Sequence, residues 1–371
     1  MWLFRDQVTA FPYAIVFPSV LTSQPFRSRH TVTTLYEQNL SNNKDKETQL
    51  MKTWLKGALA ALTISAAVPA QAGLFDWLWG PGDEAATAHP IVLVPGIFAF
   101  DSIAGVDYWY RIPAALEDEG ARVFIPEINA FDSSARRGER LIEQLDAIRA
   151  ASDGRITRFN LIGHSQGGMT SRYVMNARPD LVASVTTLHT PHKGSPLADI
   201  VTGVAPADSL QGVAFETLAN AIGDLVNLLS DNTADRSDIN SMLAEFNKPG
   251  AAAFNAMFPA GLPATDCGQG PSEITLDGNR IRLYSWSGTA TVTTGVDVSD
   301  ALFGITSLAI PGADDGVTGR CSSHFGQVIR DDYFMNHLDV NNHVLGLVSL
   351  FETSPKTLFR NHARRLKNAG L

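Results

Sequence analysis

The chain has 371 residues, 44% apolar and 18% charged, with a net charge of −9. That is enough to bury a sizeable core and too apolar for a disordered chain. The acidic balance excludes broad binding to nucleic-acid phosphates, and no apolar run reaches the roughly 18 residues of a membrane-spanning helix. Charge is unevenly spread: residues 1–72 hold seven basic and four acidic side chains, a net +3, which leaves −12 for residues 73–371.

Residues 51–72 read MKTWLKGALAALTISAAVPAQA. Lys52 and Lys56 form a basic head, Gly57 to Val68 an apolar stretch, and Ala70-Gln71-Ala72 a small-x-small cleavage site, in the order of a secretory signal. Such a signal sits at a true N-terminus, yet 50 residues precede it. The expected start is therefore Met51, with residues 1–50 an upstream extension lacking sustained periodicity. Lys46-Glu47 permits the codons AAG-GAG, similar to a bacterial ribosome-binding site. The expected product is residues 73–371 as a single domain, exported through the periplasm to the outside. Both cysteines, Cys267 and Cys321, fall in it, and two cysteines in an exported chain imply one disulfide. Closing that loop contributes roughly 4 kcal/mol on the chain-entropy model.

In chain order, Ile91 to Val94 is a buried-strand pattern ending in Pro95-Gly96. Arg158 to Met169, RFNLIGHSQGGM, follows: a short strand, the turn Gly163-His164-Ser165-Gln166-Gly167, then helical composition from Met169 to Met175. Strand, G-x-S-x-G turn and helix together are the setting of an exposed nucleophile, with the glycines leaving room for strand and helix to approach. Ser165 then needs a base, an orienting acid and backbone donors for a developing oxyanion. The donors expected are the N–H groups of Gln166, next to the nucleophile, and of Ile97, after the early strand. Phe215, Leu218, Ile222, Leu225, Val226 and Leu229 recur at helical spacing with polar residues between them, an amphipathic helix. The turn Pro311 to Gly316 holds two candidate acids, Asp314 and Asp315, which the sequence barely separates.

Four histidines come late enough to be the base. His324 is expected beside the disulfide, His362 in a solvated basic helix, and His343 in the apolar-periodic run ending at Phe351. His337 lies in the loop between a strand-like stretch, Phe325 to Ile329, and the helix expected over Val344 to Phe351; it is the base expected here.

Together these residues resemble the secreted bacterial true lipases of the Pseudomonas/Burkholderia type. The resemblance covers nearly all of residues 89–371. It rests on PIVLVPGIFAFD (90–101), GVDYWYRIP (105–113), NLIGHSQGG (160–168), TPHKGS (190–195), YSWSG (284–288), DDGVTGRCSSH (314–324), and MNHLDVNN followed by SLFETSP (335–355). It implies an α/β-hydrolase fold: a central, mostly parallel sheet, helices on both faces and a helical lid over about residues 203–250. It further implies Asp315 as the acid, His337 as the base, Ile97 and Gln166 as oxyanion donors, and a Cys267–Cys321 disulfide. A structural Ca²⁺ is implied on the carboxylates of Asp297 and Asp339 and the backbone carbonyls of His343 and Leu347, with no organic cofactor. The plainer role for Asp339 is an N-cap of the helix expected nearby.

The function implied is hydrolysis of long-chain triacylglycerols at a lipid–water interface, with a lipase-specific foldase as export partner and no nucleic-acid partner. The same chemistry admits a soluble carboxylesterase, an acyltransferase or a polyester depolymerase. A more remote class is a non-catalytic binding protein on a hydrolase scaffold. Two features depart from the family pattern. Pro95 stands where the family carries His before the oxyanion glycine, and Gly73 to Asp83 adds an aromatic segment, GLFDWLWGPGD.

Overall fold

Ile91–Val94 (β1), Phe159–His164 (β3) and Val182–Leu188 (β4) are buried at every residue. Such strands, covered on both faces, form the centre of a parallel sheet. The structure, a computed structural model, describes residues 82–97, 107–204 and 242–371. The upstream extension 1–50, the signal 51–72, most of Gly73 to Asp83 and the amphipathic stretch 215–229 lie outside these residues. Of the lid region, only 203–204 and 242–250 lie inside.

The seven strands among the described residues also include Val123–Phe124 (β2), Glu273–Leu276 (β5), Asn279–Gly288 (β6) and Gln327–Tyr333 (β7). Their order is β2-β1-β3-β4-β6-β5, with β7 also on β6. All pairs are parallel except β5–β6. The ten residues of β6 carry three partners: β4 along one edge, from Arg282 to Trp286, and on the other edge β5 along Asn279 to Arg282 and β7 from Tyr284 onward.

Strand alternation sorts the core into two layers. Ile91, Leu93, Ile162, Leu188 and Trp286 face one side, packed with α1 (Ile112–Glu117) and α7 (Pro355–Asn368). Val92, Val94, Phe159, Leu161, Val185 and Leu283 face the other, under α2 (Ser134–Ala151) and α3 (Gln166–Ala177). The described residues also form α4 (Pro196–Val201), α5 (Lys248–Met257) and α6 (Val298–Thr306). The sheet is the mostly parallel one expected, with helices on both faces.

Three expectations change. The strand after the disulfide begins at Gln327, not Phe325, and runs to Tyr333. Val344 to Phe351 forms turns rather than a helix. Asn342, Leu345 and Gly346 all have positive φ (59°, 52° and 75°), which no right-handed helix accommodates. Leu350 and Phe351 there are almost fully exposed, so their periodicity does not reflect burial. His362 is in a helix, α7, but that helix buries it: it bonds Thr186 Oγ1 (2.8 Å) rather than water.

Candidate active site

Ser165 joins β3 to α3 with φ 55° and ψ −125°, a strained conformation for a residue bearing a side chain. The flanking glycines make the turn possible. A Cβ on Gly163 would lie 2.3 Å from Gly167 O, and one on Gly167 would lie 2.1 Å from Val94 O. The helix therefore starts hard against two strands, and Ser165 stands at their carboxyl ends, where open parallel sheets bind ligands.

The loop after β7 brings His337 to Ser165, and the turn after α6 brings Asp315 to His337. His337 Nε2 lies 3.0 Å from Ser165 Oγ, and His337 Nδ1 lies 2.9 Å from Asp315 Oδ2. All three residues are buried. Asp315 Oδ1 accepts the N–H groups of Val317 (2.9 Å) and Thr318 (2.6 Å). Burial alone would raise this carboxyl; His337 and His189 beside it hold it well below the usual carboxylate range. The neighbouring Asp314 is committed elsewhere, to Ser307 Oγ (2.8 Å) and Gly316 N–H (2.7 Å). The other late histidines bond away from Ser165: His324 to Gly268 O and Asp331, and His362 to Thr186, while His343 packs edge-on against the Tyr108 ring.

Gln166 is the first residue of α3, so its N–H has no intrahelical acceptor. Ile97 follows Gly96, whose missing Cβ would sit 2.8 Å from Ser165 Cβ. Both expected donors thus border the serine. Where the family carries His, this loop is braced through Pro95 O, which the buried Arg137 side chain grips while also bonding Asn129 O (2.6 Å) and Thr170 Oγ1 (3.2 Å). Burial lowers Arg137 to about 10, which leaves it charged at neutral pH.

A second brace runs through Tyr108. Its hydroxyl oxygen accepts Gly96 N–H (2.8 Å) and meets His164 Nδ1 (2.6 Å), while His164 Nε2 meets His337 O (2.8 Å). A carbonyl only accepts, so the His164 proton is on Nε2 and Tyr108 O–H donates to Nδ1. Burial pushes His164 well below its ordinary value, keeping it neutral. This chain ties oxyanion loop, nucleophile turn and base loop together. Sequence reading missed Tyr108, Arg137, His164 and His189 as site residues. His164 had one signal, its place beside Ser165 in the turn motif.

Asp297 and Asp339 are both buried. Asp297 Oδ1 accepts Ser299 N–H (2.7 Å), and Asp339 Oδ2 accepts Asn336 N–H (3.0 Å). The other oxygen of each, Asp297 Oδ2 and Asp339 Oδ1, is buried without a hydrogen-bond partner. Burial, with the charges of Asp297 and Asp300, pushes Asp339 up to about 7. Two orphaned carboxylate oxygens are hard donors that fit a Ca²⁺ ion. The cap in this region is Asp297, at the start of α6, and not Asp339. His343 is buried and Leu347 partly exposed in the adjoining turns. Cys267 and Cys321 form a disulfide with Cα atoms 4.7 Å apart.

Residues 89–331 match the family described as the alpha/beta hydrolase fold. A triacylglycerol lipase of Vibrio cholerae is 47% identical over 285 residues, 77% of this chain and 89% of that protein. A triacylglycerol lipase of Burkholderia plantarii is 38% identical over 77% of this chain and 88% of its own length. Among solved structures, a metagenomic carboxyl esterase superposes with a TM-score of 0.51 at 17% identity, covering 76% of each chain. That last likeness concerns the fold alone.

Proposed function

The chain belongs to the α/β-hydrolase fold family, alongside its triacylglycerol lipases, and from that premise we propose a secreted lipase that cleaves long-chain acylglycerol esters through an acyl-enzyme on Ser165. The observation that carries this reading is the hydrogen-bonded line Ser165–His337–Asp315, at 3.0 and 2.9 Å, buried at the ends of the parallel strands.

Ser165 Oγ attacks the ester carbonyl while His337 Nε2 takes its proton. Asp315 accepts the His337 Nδ1–H and stabilises the imidazolium. The carbonyl oxygen becomes an oxyanion between the N–H groups of Ile97 and Gln166. Collapse expels the glyceride alcohol, which takes the proton from His337 and leaves the acyl group on Ser165. Water, deprotonated by His337, then attacks that acyl-enzyme, and collapse returns the proton to Ser165 and releases the fatty acid.

The residues around the chemistry extend the reading. Ca²⁺ bound by Asp297 and Asp339, with the carbonyls of His343 and Leu347, would be structural and steady the loop bearing His337. The lid role falls to about residues 203–250, whose amphipathic sequence over 215–229 suits contact with lipid. Export uses the 51–72 signal, consistent with a disulfide-permissive compartment, and requires a membrane-anchored foldase, supported by the motif resemblance.

The test is Ser165→Ala together with a fluorophosphonate probe. The variant should lose triacylglycerol hydrolysis while keeping its circular dichroism, and the probe should label the wild type at Ser165 only. Wild-type turnover in the variant, or labelling elsewhere, sinks the mechanism.

A further inference from the structure

Asp315 carries one donor more than the triad requires. Its Oδ2 accepts from His337 at 2.9 Å and also from a second imidazole, His189 Nδ1, at 2.5 Å. His189 is fully buried at the end of β4, with φ 48°. Its Nε2 accepts the N–H of Gly288 (2.9 Å), the last residue of β6. An accepting Nε2 places the ring proton on Nδ1, so His189 donates to Asp315. The backbone of His189 is fixed as well: its N–H reaches Trp286 O (3.3 Å), and its carbonyl accepts Thr318 Oγ1 (3.2 Å). Burial lowers its basicity, so it adds a donor and not a charge.

Resting on the triad reading above, we propose that His189 is a positioning residue, whose Nδ1–H holds Asp315 Oδ2 on the line to His337. The N–H groups of Val317 and Thr318 grip only Oδ1. A donor fixed to β6 on the other oxygen opposes pivoting about the Cβ–Cγ bond. The base stays aimed at Ser165 as His337 charges and pulls on the same oxygen. His189, Asp315 and His337 are also close enough to ligate a cation. The Gly288 N–H opposes that, because it keeps the proton on the nitrogen an ion would need.

Two substitutions divide the ring's contacts. In His189→Asn the amide nitrogen stands where Nδ1 was, and Asn tolerates the left-handed backbone. In His189→Gln the amide stands where Nε2 was and leaves Oδ2 without its donor. The donor is a hydrogen bond to a charged group, so Gln should lower kcat about tenfold with KM unchanged, and Asn should stay within about threefold. In an Asp315→Ala background the Gln substitution should cost nothing further, since its effect runs through Asp315.

Wild-type kcat in His189→Gln, equal losses in Gln and Asn, or an undiminished Gln loss in the Asp315→Ala background would each overturn the proposal. If Asp315→Ala itself turns over at the wild-type rate, the triad reading fails first. A second readout needs no variant: ¹⁵N-histidine NMR of the intact protein should show His189 protonated at Nδ1 and bare at Nε2. The opposite tautomer removes the donor and with it the proposal.

Discussion

Two buried carboxylate sites adjoin the loop that carries His337, and their chemistry is opposite. Asp315 receives backbone N–H groups on one oxygen and two imidazoles on the other, and its carboxyl is held low. Asp297 and Asp339 each keep one oxygen satisfied and one bare, and both carboxyls are raised, by burial first. A buried charge is tolerated when the chain itself supplies the donors; where it does not, the charge neutralises or an outside cation supplies the partner. The first site is complete as folded. The second leaves two buried oxygens without a hydrogen-bond donor, and the proposal of calcium there rests on them.

The largest break in this comparison comes from removing the charge at the complete site. Asp315→Asn should lower kcat by about 10⁴-fold, as loss of the orienting carboxylate does where the same roles recur. Asp314→Asn should change kcat by less than about twofold, because that side chain serves Ser307 and Gly316. Asp314 cannot take over the orienting role without leaving both bonds. Steady-state kinetics of the two variants decides: comparable losses would mean that the acid has been misassigned.

At the Asp297 and Asp339 pair the expected effect is on stability. A cation bound only by the folded state stabilises by about 2.7 kcal/mol at a free concentration near 100 times Kd. Chelation should therefore lower the melting temperature of the wild type, and added Ca²⁺ should restore it. Asp297 also caps α6, so Asp297→Ala starts lower by about 1 kcal/mol whatever the calcium level. The informative quantity is the response and not the starting value. In Asp297→Ala and in Asp339→Asn the melting temperature should no longer follow calcium; an unchanged response in either removes that residue from the ligand set.

How much was legible follows the range of the interactions involved. The Ser165 turn was readable because its glycines answer to backbone contacts that local spacing implies. Of the parallel strands, Ile91 to Val94 and Phe159 to Ile162 were readable as short apolar runs, and His337 from its place after the strand-like stretch Phe325 to Ile329. Asp314 and Asp315 share one turn, so only their partners distinguish them, and those are set by tertiary contact. His189 meets Asp315 across 126 residues, and Arg137 grips Pro95 across 42. No periodicity registers either. The helix expected over Val344 to Phe351 failed for a local reason instead: spacing of apolar residues says nothing about the left-handed turns at Asn342, Leu345 and Gly346.

The smallest expected effect sharpens the comparison through pH. In the folded state the imidazoles of His337 and His189 hold the Asp315 carboxyl well below its ordinary value, against the opposing effect of burial. Such a group contributes stability that is fully present above the unfolded value and is lost as pH falls toward the folded one. In Asp315→Asn that contribution is absent at every pH. The stability gap between wild type and variant should then be constant between about pH 5 and pH 6 and narrow by about 1 kcal/mol on going to about pH 3. Chelator in both samples removes any contribution from calcium, and chemical denaturation at each pH reads the gap directly. A gap that widens toward acid would mean that the folded protein binds a proton at Asp315 more readily than the unfolded chain does. The carboxylate would then be a buried acid lacking adequate donors, like Asp339, and the distinction between the two sites would not hold.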